Sequence, residues 1–167
     1  MTLSALIEAY AGYERRALLL YRRLSERFTA DPVASRLWRA MSDAEAGHFT
    51  TLQLATDRLA MAGGAVTEVA VDIAAIETRL TALEQAVAAT ALSAAQAAQL
   101  TLEWEEAESA RIIALLPSIP EPVRGRVRTG LLGEIDAHHG DLRALLAAAG
   151  RADLDGRVDT LRARTAP

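Results

Sequence analysis

The 167-residue sequence contains no cysteine. That excludes disulfides, cysteine-ligated iron–sulfur clusters and any iron site held by thiolates of this chain. Aromatic residues make up only 4% of it, and the 10 Gly and 5 Pro fall mostly where helices are expected to end. No run of about 18 apolar residues exists, so no membrane span is expected. Neither charge sign dominates: 18 basic residues against 22 acidic give −4, which leaves no electrostatic footprint for nucleic acid. The stretch from Met1 to Ala11 carries Glu8 and lacks a basic segment followed by an apolar core, so it does not read as a secretion signal. The chain is therefore expected to be soluble and cytoplasmic. What is abundant is Ala, Leu, Glu and Arg, residues that lose little freedom on entering a helix. The length suffices for one domain with a substantial core.

Apolar spacing organises the chain as helices. The first should run from about Leu3 to Phe28, capped by Thr2 or Ser4, with a seam of Leu3, Ile7, Tyr10, Glu14, Ala17, Tyr21, Leu24 and Phe28. Glu14 is the only charged member of that seam. Asp31-Pro32 stops this helix and starts the next, with Asp31 as cap and Pro32 in the first turn. The second seam is Val33, Leu37, Met41, Ala44/Glu45, His48, Leu52, Ala55 and Leu59, closed by Gly63-Gly64. Residues 66–91 form a connector with its own stripe of Ile73, Ile76, Leu80, Leu83 and Val87. Ser93 caps a third bundle helix through Leu102, Glu106, Ile113 and Leu116 to Pro117. A fourth reads Val123, Val127, Leu131, Glu134/Ile135, His138, Leu142 and Leu145, and closes at Gly150. Leu154, Val158 and Leu161 suffice for a short appended helix in 151–167.

The second and fourth helices repeat one another. Asp31-Pro32-Val33 aligns with Glu121-Pro122-Val123, and the same register pairs Leu37 with Val127, Met41 with Leu131, His48 with His138 and Leu52 with Leu142. Two hairpins joined by a long connector make an all-α, four-helix bundle over residues 1–150, and the repeat places two similar half-sites about a pseudo-two-fold axis.

Glu45-Ala-Gly-His48 puts a carboxylate and an imidazole on one helix face, where both reach a single point. Glu14, Glu45, Glu106 and Glu134 all fall on or beside apolar seams, with His48 and His138. Buried carboxylates need protons or cations, and oxygen donors with a few imidazoles suit Fe or Mn and accept Zn. In the third helix Glu103, Glu105, Glu106 and Glu108 crowd together. Seam phase selects Glu106, with Glu103 one turn earlier, and leaves Glu105 and Glu108 solvated or paired with Arg. In the fourth, Ile135 stands where the repeat would place a second Glu45, so Glu134 with His138 is preferred over Asp136 with His139. Whether one metal or two would bind stays open. Tyr10 and Tyr21 flank Glu14 as core packing or as sources of a proton or radical. The bland reading is a set of mis-phased glutamates in ion pairs at the bundle edges.

On Glu14 with Tyr21 seven residues later, Glu45-x-x-His48, Glu103-x-x-Glu106 and the Glu134/His138 pair, the chain resembles the rubrerythrin-like branch of the ferritin-like superfamily. The resemblance implies a ferritin-like bundle holding two Fe ions (Mn or Zn as alternatives) that reacts with peroxide or dioxygen. By it Glu14 is terminal on one metal, Glu45 bridges, His48 is a terminal or exchanged ligand, and Glu103, Glu106, Glu134 and His138 complete the set. The cysteine-rich iron domain of full rubrerythrins is missing, so electrons would come from a separate donor protein. The expected function is peroxide reduction by a homodimer, without nucleic acid or membrane. The alternatives are a helical binding or dimerisation module with a structural or degenerate metal site, and an oxygenase, which would need an organic-substrate pocket beside the metals.

Overall fold

In the computed structural model the described residues are 1–61, 73–132 and 135–165. They form seven α-helices: α1 (Leu3–Arg27), α2 (Pro32–Met61), α3 (Ala74–Ala88), α4 (Ala94–Leu115), α5 (Val123–Leu132), α6 (Ile135–Ala148) and α7 (Asp155–Thr165). No β-strand and no helix long and apolar enough to cross a membrane occurs among them.

The helix ends follow local chemistry. Thr2 accepts from the Ala5 amide at 3.2 Å, and Asp31 Oδ1 accepts from the Val33 and Ala34 amides at 3.1 Å. Ser93 forms a reciprocal capping box with Gln96, which fixes the start of α4. Gly150 adopts φ +73°, and the Arg151 amide donates back to Leu146 at 2.7 Å, closing α6 as only a residue tolerant of left-handed backbone readily can. The expected stop at Gly63-Gly64 lies outside the described residues.

Every expected seam residue of α1 from Leu3 to Leu24 is buried, Glu14 included. In α2 Leu37, Met41, Glu45, Leu52, Ala55 and Leu59 are buried, while Val33 is exposed and Ala34 takes the inward place. The α1–α2 hairpin is the longest packing interface, and α2 also packs on α5 and α6. The connector helix α3 turns Ile76, Leu80 and Leu83 into the core and packs against α4 and α1. Arg16 ties it down through paired bonds to Glu77 and Glu84 at 2.8–2.9 Å, and Arg27 caps its last carbonyls at Val87, Ala89 and Thr90. At the other end α7 buries Val158 and Leu161 and packs on α6 and α4.

Helix α4 is phased differently from the seam read in the sequence. Its buried stripe runs through Ala98, Leu102, Glu105, Glu108, Ile112 and Leu115. Glu103 and Glu106 face sideways instead. Glu103 accepts from Arg79 of α3 at 3.2 Å and from Gln99 at 3.1 Å, and Glu106 is clamped by Arg157 of α7 at 2.5–2.9 Å. The connector and the tail supply the arginines that hold these two glutamates outside the core.

Ser93→Ala removes the α4 cap and should destabilise the chain by about 1 kcal/mol in a urea melt, since loss of a Ser cap costs 0.5–2 kcal/mol in comparable helices.

Candidate metal centre

Between α1, α2, α4 and α6, six polar side chains converge in an otherwise apolar core. Glu14, Glu45, Glu105, Glu108 and His138 are buried, and His48 keeps 13% of its side chain exposed. His48 Nδ1 lies 3.0 Å from Glu45 Oε2 and 3.9 Å from Glu14 Oε2. His138 Nε2 lies 2.8 Å from Glu105 Oε2 and 3.9 Å from Glu45 Oε1. Two ligand triplets result, Glu14/Glu45/His48 and Glu45/Glu105/His138, each with donor atoms within 4.8 Å of one another. Glu45 belongs to both, one carboxylate oxygen turned to each histidine. The two imidazole centroids are 6.0 Å apart, as the repeat that aligned His48 with His138 implies.

Glu14, Glu45, His48 and His138 are thus brought together as the sequence placed them, but Glu103 and Glu106 stand outside in their arginine pairs. Glu105 and Glu108, read in the sequence as solvated or arginine-paired, occupy the inward positions. Their 3-residue spacing and their phase with Leu102 and Ile112 were the available signal. Glu134 lies outside the described residues, as does the side chain of Asp136. His139 is buried and lines the same cavity as His138. Where α6 has Ile135 at the register of Glu45, the carboxylate bonded to its histidine comes instead from α4, as Glu105. The core set numbers four carboxylates and two imidazoles, the donor count of dinuclear carboxylate bundles.

Charge compensation shapes this cluster. Burial, reinforced by the charges of Glu108 and Glu45, holds Glu14 well above the usual carboxylate range. Burial pushes Glu108 up to about 7, although the neighbouring Glu14 carboxyl and His48 act to lower it. Burial also opposes ionisation of Glu45, but His48, Glu14 and His138 outweigh it and hold that carboxyl down at about 2. Burial alone would lower both histidines, yet Glu45 raises His48, and Glu105 with Glu45 and Glu108 raises His138 to about 10. Tyr21 donates to Glu105 Oε1 at 2.5 Å and fixes that carboxylate from behind. Burial beside Glu105 and Glu45 keeps its phenol well above the ordinary value.

Both oxygens of Glu14, Oε1 of Glu45, Oε1 of Glu108 and Nδ1 of His138 have no hydrogen-bond partner among the described residues. Buried polar atoms without partners are costly. A pair of divalent cations would satisfy the carboxylate oxygens, and the donor set fits hard or borderline metals. Beside the cluster lies a cavity of about 20 Å³ bordered by His48, Glu108, Ser109, Ile112 and Leu131. It has room for a water or a molecule of similar size. That is far below the several hundred cubic ångströms of an organic-substrate site.

No known family model, curated protein or solved structure matches this chain.

Proton occupancy sets a pH dependence for the metal-free chain. Unfolded, Glu14 and Glu108 titrate near 4.5 and His138 near 6.5, whereas the folded chain retains the Glu108 proton to about 7 and the His138 proton to about 10. The folded state therefore binds more protons across that window, and stability falls as pH rises through it. Glu45 acts oppositely: its contribution is present above its ordinary value and lost as pH falls toward about 2. Thermal melts of metal-free protein should drop progressively from about pH 5 to about pH 9. A flat or rising profile would contradict the protonated, ion-paired cluster.

Proposed function

We propose that this chain is a dinuclear metal protein of the rubrerythrin type, in a ferritin-like bundle, that reduces hydrogen peroxide with electrons from a separate donor. The observation that carries this reading is Glu45, whose two oxygens address two different histidines at the junction of two carboxylate–imidazole groups. Glu14, Glu45 and His48 would hold one ion. Glu45, Glu105 and His138 would hold the other, with Glu108 beside Glu14 in reserve. Two ferrous ions there would supply one electron each to break an O–O bond.

The chain's own groups serve that reaction in identifiable ways. The apolar helices around the cluster exclude bulk water and keep the carboxylates preorganised. The small cavity favours peroxide over an organic substrate, which argues against an oxygenase. Tyr21 Oη keeps a proton against Glu105 Oε1, and Glu108 lines the cavity as a second carboxyl able to hold one. Both are groups from which the two oxygens of a cleaved peroxide could be protonated to water.

A second reading also rests on an observation. His48–Glu45 and His138–Glu105 satisfy each other without any cation, as a purely structural polar core in a binding or dimerisation module would. Anaerobic loading with Fe(II) and metal analysis separates the two. The metalloprotein reading expects about two Fe per chain, both lost in Glu45→Ala, and ferrous protein oxidised stoichiometrically by peroxide. It also expects Glu105→Ala to lose iron while Glu106→Ala retains it. Absence of bound metal, with Glu45→Ala as stable as the parent, would leave only the structural core. Tyr21→Phe should weaken metal affinity or turnover roughly 10–100-fold, the usual cost of removing a hydrogen bond that orients a ligand.

A further inference from the structure

Aromatic residues are scarce here, yet they are not scattered. All three tyrosines and Trp104 are buried. Tyr21 is already accounted for by its bond to Glu105. Tyr10 has no hydrogen-bond partner among the described residues, although it lies close enough to Glu108 for that carboxylate's charge to act on its phenol. Trp104 directly precedes Glu105, and its indole Nε1 is likewise buried without a partner. Both rings meet Tyr13 edge-on, Tyr10 at 6.1 Å between centroids and Trp104 at 6.4 Å.

Tyr13 differs from the other two in where it leads. Its hydroxyl interacts with Glu77 of α3, whose side chain is 47% exposed, and the Arg16 guanidinium lies 5.9 Å from its ring centroid. Arg16 in turn bonds Glu77 and Glu84. Tyr10, whose phenol feels the Glu108 charge, and Trp104, next in the chain to Glu105, therefore converge on a third ring that touches solvated charges on the α1–α3 face. We propose that Trp104 and Tyr13 form an aromatic electron relay between the buried cluster and that face, ending at Glu77 and Arg16. The relay rests on the redox reading above.

Edge-to-face packing alone would account for the contacts as core filling. Two observations and one general principle favour transport. The chain has no thiol to carry an electron inward, so tyrosine and tryptophan are the side chains best able to do it. Electron tunnelling decays exponentially with distance, which makes touching rings the favoured route. Oxidation of a phenol also requires somewhere for its proton to go, and Tyr13 has the Glu77 carboxylate.

The step balances as follows. An oxidising equivalent left at the cluster by peroxide reduction removes an electron from Trp104, whose indole radical cation keeps its Nε1 proton. Tyr13 refills it, releasing its phenolic proton to Glu77 as the tyrosyl radical forms. A one-electron donor at the α1–α3 face reduces that radical, and Glu77 returns the proton. Two such passes, with two protons, convert one hydrogen peroxide to two water molecules.

The relay can be tested in the full metal-free chain, independently of iron. In Trp38→Phe protein, pulse-generated azidyl radicals oxidise Trp104. The indolyl absorbance should then decay with a matching, concentration-independent rise of tyrosyl absorbance. Adding Tyr13→Phe should abolish that rise, with the melting curve confirming that the ring still packs. A tyrosyl rise that persists in Tyr13→Phe, or none in the Trp38→Phe parent, would overturn the relay. Iron loading is scored separately. Iron bound without radical transfer removes the relay alone, whereas transfer without iron binding leaves the Trp104–Tyr13 path and removes the metal reading.

Discussion

Four carboxylates buried in one helical core impose the constraint around which this molecule is arranged. Isolated, each would cost far more to desolvate than a domain's whole stability allows. The fold meets that cost with two imidazoles, protons held on Glu14 and Glu108, and a phenol bonded to Glu105. Every helix that supplies one of these groups is also fixed by ordinary apolar packing, so the polar cluster is held by elements it did not itself create. Met41 and Leu52 of α2, Leu102 of α4 and Leu142 of α6 are all buried. Such a cluster is poorly suited to stability alone, because replacing buried ionic groups with apolar ones is often neutral or favourable.

The peripheral segments have a share in this arrangement. The connector helix α3 and the terminal helix α7 contribute nothing to the cluster directly. Arg79 and Arg157 nevertheless take Glu103 and Glu106 out of competition for the core. With those two neutralised at the flanks, α4 can rotate Glu105 and Glu108 inward. Arg16 performs the corresponding task on the other side, anchoring α3 beside α1 through Glu77 and Glu84.

How much of this was legible in the sequence differs by helix. Along α1 and α2 strict 3-and-4 spacing of large apolar residues left one phase available, and Glu14, Glu45 and His48 fell where it put them. The offset of 90 between Asp31-Pro32 and Glu121-Pro122 likewise anticipated that His48 and His138 would face one another. In α4 the spacing was ambiguous, because Ala-rich turns weaken the apolar stripe and four glutamates stand almost together. Leu102 and Leu116 alone fit the wrong phase nearly as well as the right one. The phase of Glu105 and Glu108 with Leu102 and Ile112 was a local signal for the observed arrangement, but the arginines from distant segments that hold Glu103 and Glu106 aside are not encoded in it. The ferritin-like layout and the family resemblance remain readings of motif and spacing.

The division of the cluster between the two hairpins has a thermodynamic consequence. Glu14, Glu45 and His48 come from α1 and α2, Glu105 and His138 from α4 and α6, and Glu45 alone belongs to both triplets. Any cation entering one group alters the charge on a carboxylate that the other group also uses. Occupancy of the two positions is then a linked equilibrium, with a coupling free energy that must be the same whichever position fills first. One side chain shared by both groups would make the two helix pairs report on each other.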